Sequence, residues 1–434
     1  MKIAFITAGA AGMFCGSCMR DNTLVAALQE LGHDAILVPT YTPIRTDEVD
    51  VSGGRLFYGG INVYLQDKSW LFRKAPRVVD WLLNRRWLLR WASRQAVTTD
   101  YADFADLTLS MLRGGDGRQA KELGKLIEWL AADVKPDVVV LTNTLLSGLV
   151  PSLAFCLDVP VFVTLQGDDI FLNALPAHAR TLCLDQIRAN DKNVTGYLST
   201  SSRYADAMAP YFGIDRAKID TVPPGLQLRG HGVATMPRSG PPAVGYFARI
   251  CPEKGFHNLI DAFVRLRQDP ALAEVKLRAS GWLGEQHRGF YDQQLAKLTA
   301  ANLLGDFEYV DSPDHASKVR FFQSIDVMTV PTDYHEPKGL YVLEAWANGV
   351  PVVQPAHGSF PELLDRVAGG LLAKSGDPAD LAAKLKALLT DAELRATLGR
   401  QGREGVAEHF TAIRMAENTI RVLEKAVARP VAVS

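Results

Sequence analysis

Two carboxylates eight positions apart, Glu336 and Glu344, stand in the segment PTDYHEPKGLYVLEAWANGVPVVQP, residues 331–355. Gly339 lies between them and can open a helix, and Asn348-Gly349 can close it, because glycine best accepts the left-handed conformation past a helix C-terminus. The β-branched run Val350-Pro351-Val352-Val353 that follows reads as a buried strand. The two glutamates therefore flank the first turn of one short helix within an α/β unit. If both were helical, eight residues at ~1.5 Å each would hold them about 12 Å apart. A pair of carboxylates that cleaves one glycosidic bond sits at roughly 5–9.5 Å, so this pair is spaced to grip opposite ends of an extended ligand. Between them, the first turn Lys338-Gly339-Leu340-Tyr341 offers backbone N–H groups and the positive end of a helix dipole, a site suited to phosphate. Hydroxyls at both ends and phosphates in the middle describe a nucleotide sugar.

A second cluster lies upstream. Arg249 and Lys254 follow the strand candidate AVGYFA, and the carboxyl ends of strands are where open α/β sheets bind ligands. Two fixed cations there would offset the charge that develops on a departing nucleoside diphosphate. Together, the E-x7-E segment with its A-x-G-x-P-V-V and the stretch AVGYFARICPEKGFHNLIDA, residues 243–262, resemble the donor-site signature of family 4 retaining glycosyltransferases, the GT-B-fold glycosyl transferases group 1. The resemblance covers most of the chain and is strongest in its C-terminal half. It implies that Glu336 contacts the donor sugar, that Glu344 holds the ribose hydroxyls, and that Arg249 and Lys254 grip the diphosphate, with Glu336, Arg249 and Lys254 as the catalytic set. It also implies that no metal or other cofactor is needed.

The N-terminal half carries weaker signals. The loop Gly9-Ala10-Ala11-Gly12 after the first strand is not G-x-G-x-x-G, so the dinucleotide fingerprint fails. By the resemblance, Gly12 approaches the donor phosphates. Cys15-Gly16-Ser17-Cys18 then precedes a helix from about Met19 to Leu31, which ends at Gly32. C-x-x-C at a helix N-terminus is also the thioredoxin arrangement, where the dipole lowers a thiol pKa, but packing is the favoured reading and no partner ligands for zinc exist. Arg20, Asp21 and Asn22 come next, and Arg20 and Asn22 are candidate acceptor contacts. In VFVTLQGDDI, residues 161–170, Gln166 takes the place where the family commonly has a cleft histidine; glutamine can bond a sugar hydroxyl but cannot titrate. Asp168 is a further candidate acceptor contact, and adjacent aspartates such as Asp168-Asp169 point in different directions, which argues against a metal site. His335 could tune Glu336.

These residues need a scaffold. Strand and helix candidates alternate almost throughout, which predicts an α/β fold of doubly wound parallel sheets. Twelve strand candidates are too many for one sheet of usual size, and a Gly/Pro-rich stretch divides them into Lys2–Val222 and Ala243–Ala373. The expected organisation is 1–225 as a Rossmann-like acceptor domain, 226–242 as linker, 243–410 as a Rossmann-like nucleotide-sugar domain, the two facing a cleft, and 411–434 as a C-terminal helix that crosses back to the first domain. Helix candidates fill Ala379–Ala428, with breaks near Asp391 and Phe410.

Composition bounds the rest. The 434 residues are 47% hydrophobic and 22% charged, with a net charge of −1, so no bulk electrostatic case exists for nucleic acid. No apolar run is long enough for a membrane span, the start MKIAFITAGAAG reads as a strand and turn and not as a signal peptide, and five scattered cysteines suit a reducing cytoplasm. Residues 69–94 interleave seven basic residues and one acid with Trp70, Trp81, Trp87 and Trp91. Peripheral membrane contact, an acceptor-site wall and plain packing all fit that pattern. The expected activity is transfer of a hexose, with retention, from a nucleoside-diphosphate sugar to a hydroxyl of a carbohydrate, lipid-linked or small-molecule acceptor. UDP-sugar is favoured; GDP- or ADP-sugar fits as well. The rivals are a sugar-nucleotide epimerase on the same fold, a pyridoxal-phosphate phosphorylase for which no cofactor lysine motif is visible, and a nucleotide-sugar-binding protein without turnover.

Overall fold

The structure, a computed structural model, describes residues 1–9, 15–52, 101–234 and 240–428. Gly12 and the tryptophan-rich segment 69–94 lie outside the described residues. The chain forms two compact units, Met1–Gly225 with Ile413–Ser434, and Leu226–Ala412. The stretch read as a linker thus joins the second unit from its first residue: Leu226 is buried and exchanges backbone hydrogen bonds with Phe410 and Ala412.

Each unit holds a six-stranded parallel sheet among the described residues. In the first, β1 (Lys2–Thr7), β2 (Asp34–Pro39), β3 (Val138–Leu141), β4 (Val161–Leu165), β5 (Gly196–Ser199) and β6 (Ile219–Thr221) run in the order β2-β1-β3-β4-β5-β6. In the second, β7 (Ala243–Phe247), β8 (Lys276–Ser280), β9 (Phe307–Tyr309), β10 (Val327–Met328), β11 (Val352–Pro355) and β12 (Gly370–Ala373) run as β12-β11-β10-β7-β8-β9. Strands such as VVVL of β3 and VFVTL of β4 are buried at every position. That is the condition of a parallel sheet covered on both faces, and it explains why they read as continuous apolar runs and not as alternating ones. Six strands fall in each of the two stretches that the sequence divides, Lys2–Val222 and Ala243–Ala373, and β10 is only two residues long.

The helices that matter below are α1 (Gly16–Glu30), α2 (Asp168–Ala174), α3 (Phe256–Leu266), α4 (His315–Gln323), α5 (Leu340–Ala347), α6 (Ala392–His409) and α7 (Ala412–Val427). In the second unit the core is built around Trp346 of α5, fully buried, whose Nε1 donates to the Gly369 carbonyl at 2.7 Å. Gly402 of α6 lies so close to that indole that an added Cβ would fall 2.5 Å from it. This packing fixes α5, the helix that carries Glu344.

Topology places the site. From β7 the chain builds outward to β8 and β9 on one side, then returns to lay β10, β11 and β12 on the other. The order reverses between β7 and β10, and the crevice beyond the carboxyl ends of strands at such a switch point is where open α/β sheets bind ligands. The loop after β7 carries Arg249 and Lys254; the loop after β10 carries Glu336. Gly255 makes their approach feasible. It sits at φ +67, and a side chain there would meet the Pro331 carbonyl oxygen at 1.7 Å.

Candidate active site

Glu336 is 3% exposed and sits in the loop that precedes α5, not on the helix. Its Oε2 accepts from Lys254 Nζ at 2.6 Å, from the Tyr334 hydroxyl at 2.6 Å and from the Tyr341 hydroxyl at 3.3 Å. Its Oε1 accepts from the backbone N–H of Lys338 at 3.2 Å and of Gly339 at 3.3 Å. The carboxylate therefore caps α5, a favourable place for negative charge at the positive end of a helix. This corrects one sequence expectation: the N–H groups of Lys338 and Gly339, read as open to a phosphate, are held by Glu336. Gly339 is in the left-handed conformation at φ +65, and Leu340 opens the helix.

Burial pushes the Glu336 carboxyl up, but the charges of Lys254 and Lys338 and the hydrogen bonds from Lys254 and Tyr334 outweigh it and bring the group down to about 2, from an ordinary 4.5. Glu336 is thus ionised throughout the neutral range and cannot act there as a proton donor. Its folded-state pKa lies below the unfolded one, so its stabilising contribution is complete above about pH 4.5 and is lost as the pH falls from there through about 2. Wild type is expected to lose more stability than Glu336→Gln across that acid window, measured as unfolding midpoints in a pH series; parallel curves would contradict the assignment.

Lys254 Nζ also bonds the Tyr334 hydroxyl and lies over the rings of Tyr334 and Tyr341, 4.9 and 5.1 Å from their centroids. Its loop is held from beneath by the Tyr246 hydroxyl, which donates to the Arg249 carbonyl at 2.8 Å. Arg249 is half-buried, and its charge acts on Tyr334, Tyr246 and Cys251. On the far side, Ser359 N–H donates to the Glu336 carbonyl at 2.8 Å, and a Cβ on Gly358 would fall 2.6 Å from the Glu336 nitrogen. The His335 ring stacks on His357 at 5.0 Å; His335 itself is exposed. Glu344, 6% exposed on α5, is joined to Lys318 of α4 at 2.6 Å. Arg249, Lys254, Glu336, Lys338, Gly339, Leu340, Tyr341 and Glu344 thus all lie in the second unit, and Lys254 with Glu336 at its switch point. Sequence reasoning missed Tyr334, the His357–Ser359 turn and Lys318, because contacts made by a loop residue or by a different helix leave no periodic signal.

The first unit holds a separate buried polar cluster. Arg20 and Asp21 of α1 form an ion pair at 3.2 Å, each 2% exposed. Asp21 also takes the Thr142 hydroxyl, and Gln166 bonds Thr142 O and Oγ1 at 2.8 and 3.0 Å. Asn22, fully buried, donates to the Val49 carbonyl at 2.9 Å and accepts from Val51 N–H at 3.0 Å. Arg20 and Asn22, expected as acceptor contacts, are therefore interior groups: the ion pair and the clamp on the 49–51 loop occupy them. Gln166 likewise joins this cluster. Asp168 opens α2 and accepts from the backbone N–H and hydroxyl of Thr144, both at 2.9 Å, while Asp169 accepts from the Tyr204 hydroxyl at 2.6 Å. The two aspartates diverge as their adjacency requires. Cys18 is buried and hydrogen-bonded to Cys15, and this bond together with burial raises its thiol pKa. Among the described residues no helix is long and apolar enough to cross a membrane.

Two doubly wound parallel sheets, the second with a charged grip at its switch point, define the class. Residues 235–405 match the family described as Glycosyl transferases group 1. The second unit thus carries a Glycosyl transferases group 1 domain, and the fold of the chain is the two-domain GT-B fold. Among curated proteins it is similar to glycogen synthase of Mycobacterium tuberculosis, 28% identical over 306 residues that cover 67% of this chain and 68% of that one. D-inositol 3-phosphate glycosyltransferase of Salinispora arenicola is 33% identical over 261 residues, 56% of this chain and 55% of that one, so the chain spans about half of this relative's length. Among solved structures, HepE from Anabaena in complex with UDP aligns with a TM-score of 0.69 at 15% identity, over 98% of this chain and 100% of that one. That likeness is one of fold.

Proposed function

We propose that the chain is a retaining glycosyltransferase that moves a hexose from a nucleoside-diphosphate sugar, UDP-sugar in preference to GDP- or ADP-sugar, to a hydroxyl of a carbohydrate, lipid-linked or small-molecule acceptor. The observation that carries this reading is the Glu336 carboxylate held between Lys254, Tyr334 and the first turn of α5, at the switch point of the second sheet. The preference for UDP is supported by the Anabaena neighbour, which has been solved with UDP and with UDP-glucose.

In this reading Arg249 and Lys254 face the diphosphate. Leaving-group departure leaves negative charge on it, and fixed cations already in place lower that barrier without reorganisation. Lys338, 9% exposed and close enough to depress Glu336, adds a third positive charge. Glu336, ionised, accepts from hydroxyls of the donor sugar, and Glu344 from the ribose. Departure and attack on the same face retain configuration and need no enzyme nucleophile. The cations do the work a metal ion does at other diphosphate sites, so turnover is expected to survive EDTA.

A donor screen by thermal shift tests the reading. A ligand at 100 times its Kd stabilises by about 2.7 kcal/mol, so one of UDP-, GDP- or ADP-hexose should raise the melting temperature clearly, and the Glu344→Gln variant should lose most of that rise. Transfer to a simple hydroxyl acceptor should follow with the same donor. No response to any of these nucleotides, or release of an epimerised sugar nucleotide without an acceptor, would overturn the proposal.

A further inference from the structure

Each glutamate of the pair has its own buried lysine. Glu336 has Lys254, which the proposed function places on the diphosphate. Glu344 has Lys318, which no motif singled out: its Nζ lies 2.6 Å from Glu344 Oε1, with the two side chains 6% and 8% exposed. Resting on the proposed function, we infer that Lys318 is a positioning residue for ribose recognition: it acts through Glu344, holding that carboxylate charged and in one orientation for the ribose diol.

The argument is one of charge and of rigidity. Burying a lysine–glutamate pair is expensive, and apolar residues of the same volume would stabilise the interface between α4 and α5 at least as well. A pair retained there serves something other than packing. A buried carboxylate keeps its charge only beside a counter-charge, and a ribose brings hydroxyl donors but no positive charge. The protein must therefore supply the cation, and a carboxylate with about four acceptor positions can take a lysine and hydroxyls together. Lys318 meets Glu344 on the second turn of α5, one turn past the helix start that Glu336 caps beside Lys254, so the lysine placed on the diphosphate and the one placed beside the ribose are different groups.

The pair is also held in a frame. Asn348, four residues after Glu344, donates to the Glu344 carbonyl at 2.8 Å and accepts from Gly232 N–H at 3.1 Å. Gln323, on the same helix as Lys318, donates to the Gly232 carbonyl at 2.7 Å. The His231 ring contacts Asn348 at 2.8 Å and packs edge-on against His315, the first residue of α4, at 4.8 Å. The 231–232 segment thus ties α4 to α5, so the Lys318–Glu344 geometry is set by backbone anchors and not by two free side chains.

The test compares binding of UDP and of 2′,3′-dideoxy-UDP by calorimetry, with GDP or ADP and their dideoxy forms if wild type prefers those bases. Loss of a charged hydrogen-bond partner predicts that Lys318→Met binds UDP about 10- to 100-fold more weakly and binds the dideoxy form as wild type does. Lys318→Arg, which keeps the charge, should retain most of the preference for the diol; it also serves if Lys318→Met fails to fold. Equal weakening of both ligands, or of neither, would overturn the positioning role while leaving the functional reading intact. A wild type that binds none of the three nucleoside diphosphates would sink that reading, and this inference with it.

Discussion

Replacing Lys254 by alanine is expected to cut turnover by about 10²–10³, the usual cost of one lost transition-state charge contact. The ammonium lies 2.6 Å from Glu336 and above two tyrosine rings, so the change removes a cation from the proposed diphosphate site and the nearest counter-charge from a buried carboxylate. Those two losses can be separated. Leaving one partner of a buried ion pair costs about 3–5 kcal/mol, moderated in this case by Lys338 and by the Tyr334 and Tyr341 hydroxyls. The double variant Lys254→Met/Glu336→Gln removes both charges, so it should regain most of the stability lost by Lys254→Ala and none of the turnover. Steady-state kcat beside thermal melts reads both effects. Unchanged kcat in Lys254→Ala would remove the lysine from the chemistry.

Asp21→Ala is expected to destabilise the first unit by about 3–5 kcal/mol, the cost of leaving a buried charge uncompensated. Burial pushes the Asp21 carboxyl up and the Arg20 guanidinium down, so each depends on the other's charge. Two further Arg20 nitrogens, Nε and Nη2, are buried without a hydrogen-bond partner, and only Nη1 meets Asp21. The substitution also strips Thr142 of its acceptor and loosens the end of β3. Urea unfolding followed by probes in each unit should show the first transition moved and the second in place. Arg20→Met/Asp21→Ala should recover much of the loss, since it leaves no orphaned ion. A fall of less than 1 kcal/mol in Asp21→Ala would mean that the arginine is not held by its neighbour.

Several features of this protein are written in local sequence. The strands read directly because a parallel sheet buries both faces, which turns each strand into a short β-branched run that turn residues bound. Gly339 and the Asn348-Gly349 pair delimit α5 because helix ends demand particular backbone conformations, and those are properties of single residues. The placement of Arg249 and Lys254 after β7, and of Glu336 after β10, follows from the same alternation.

Tertiary structure decided what these groups touch. Glu336 and Lys254 are eighty-two positions apart, and they meet because β10 is laid beside β7 when the sheet reverses direction. Local sequence shows a helix start with open N–H groups; the fold turns Glu336 back to cap it. Arg20 and Asn22 read as acceptor contacts at a helix start, yet α1 packs with that face inward, so they become interior. Lys318 carried no signal at all, since its partner lies on another helix. Period and turn chemistry act over a few residues and survive in the sequence, whereas the partner of a buried charge is chosen by whichever strand order brings two loops together.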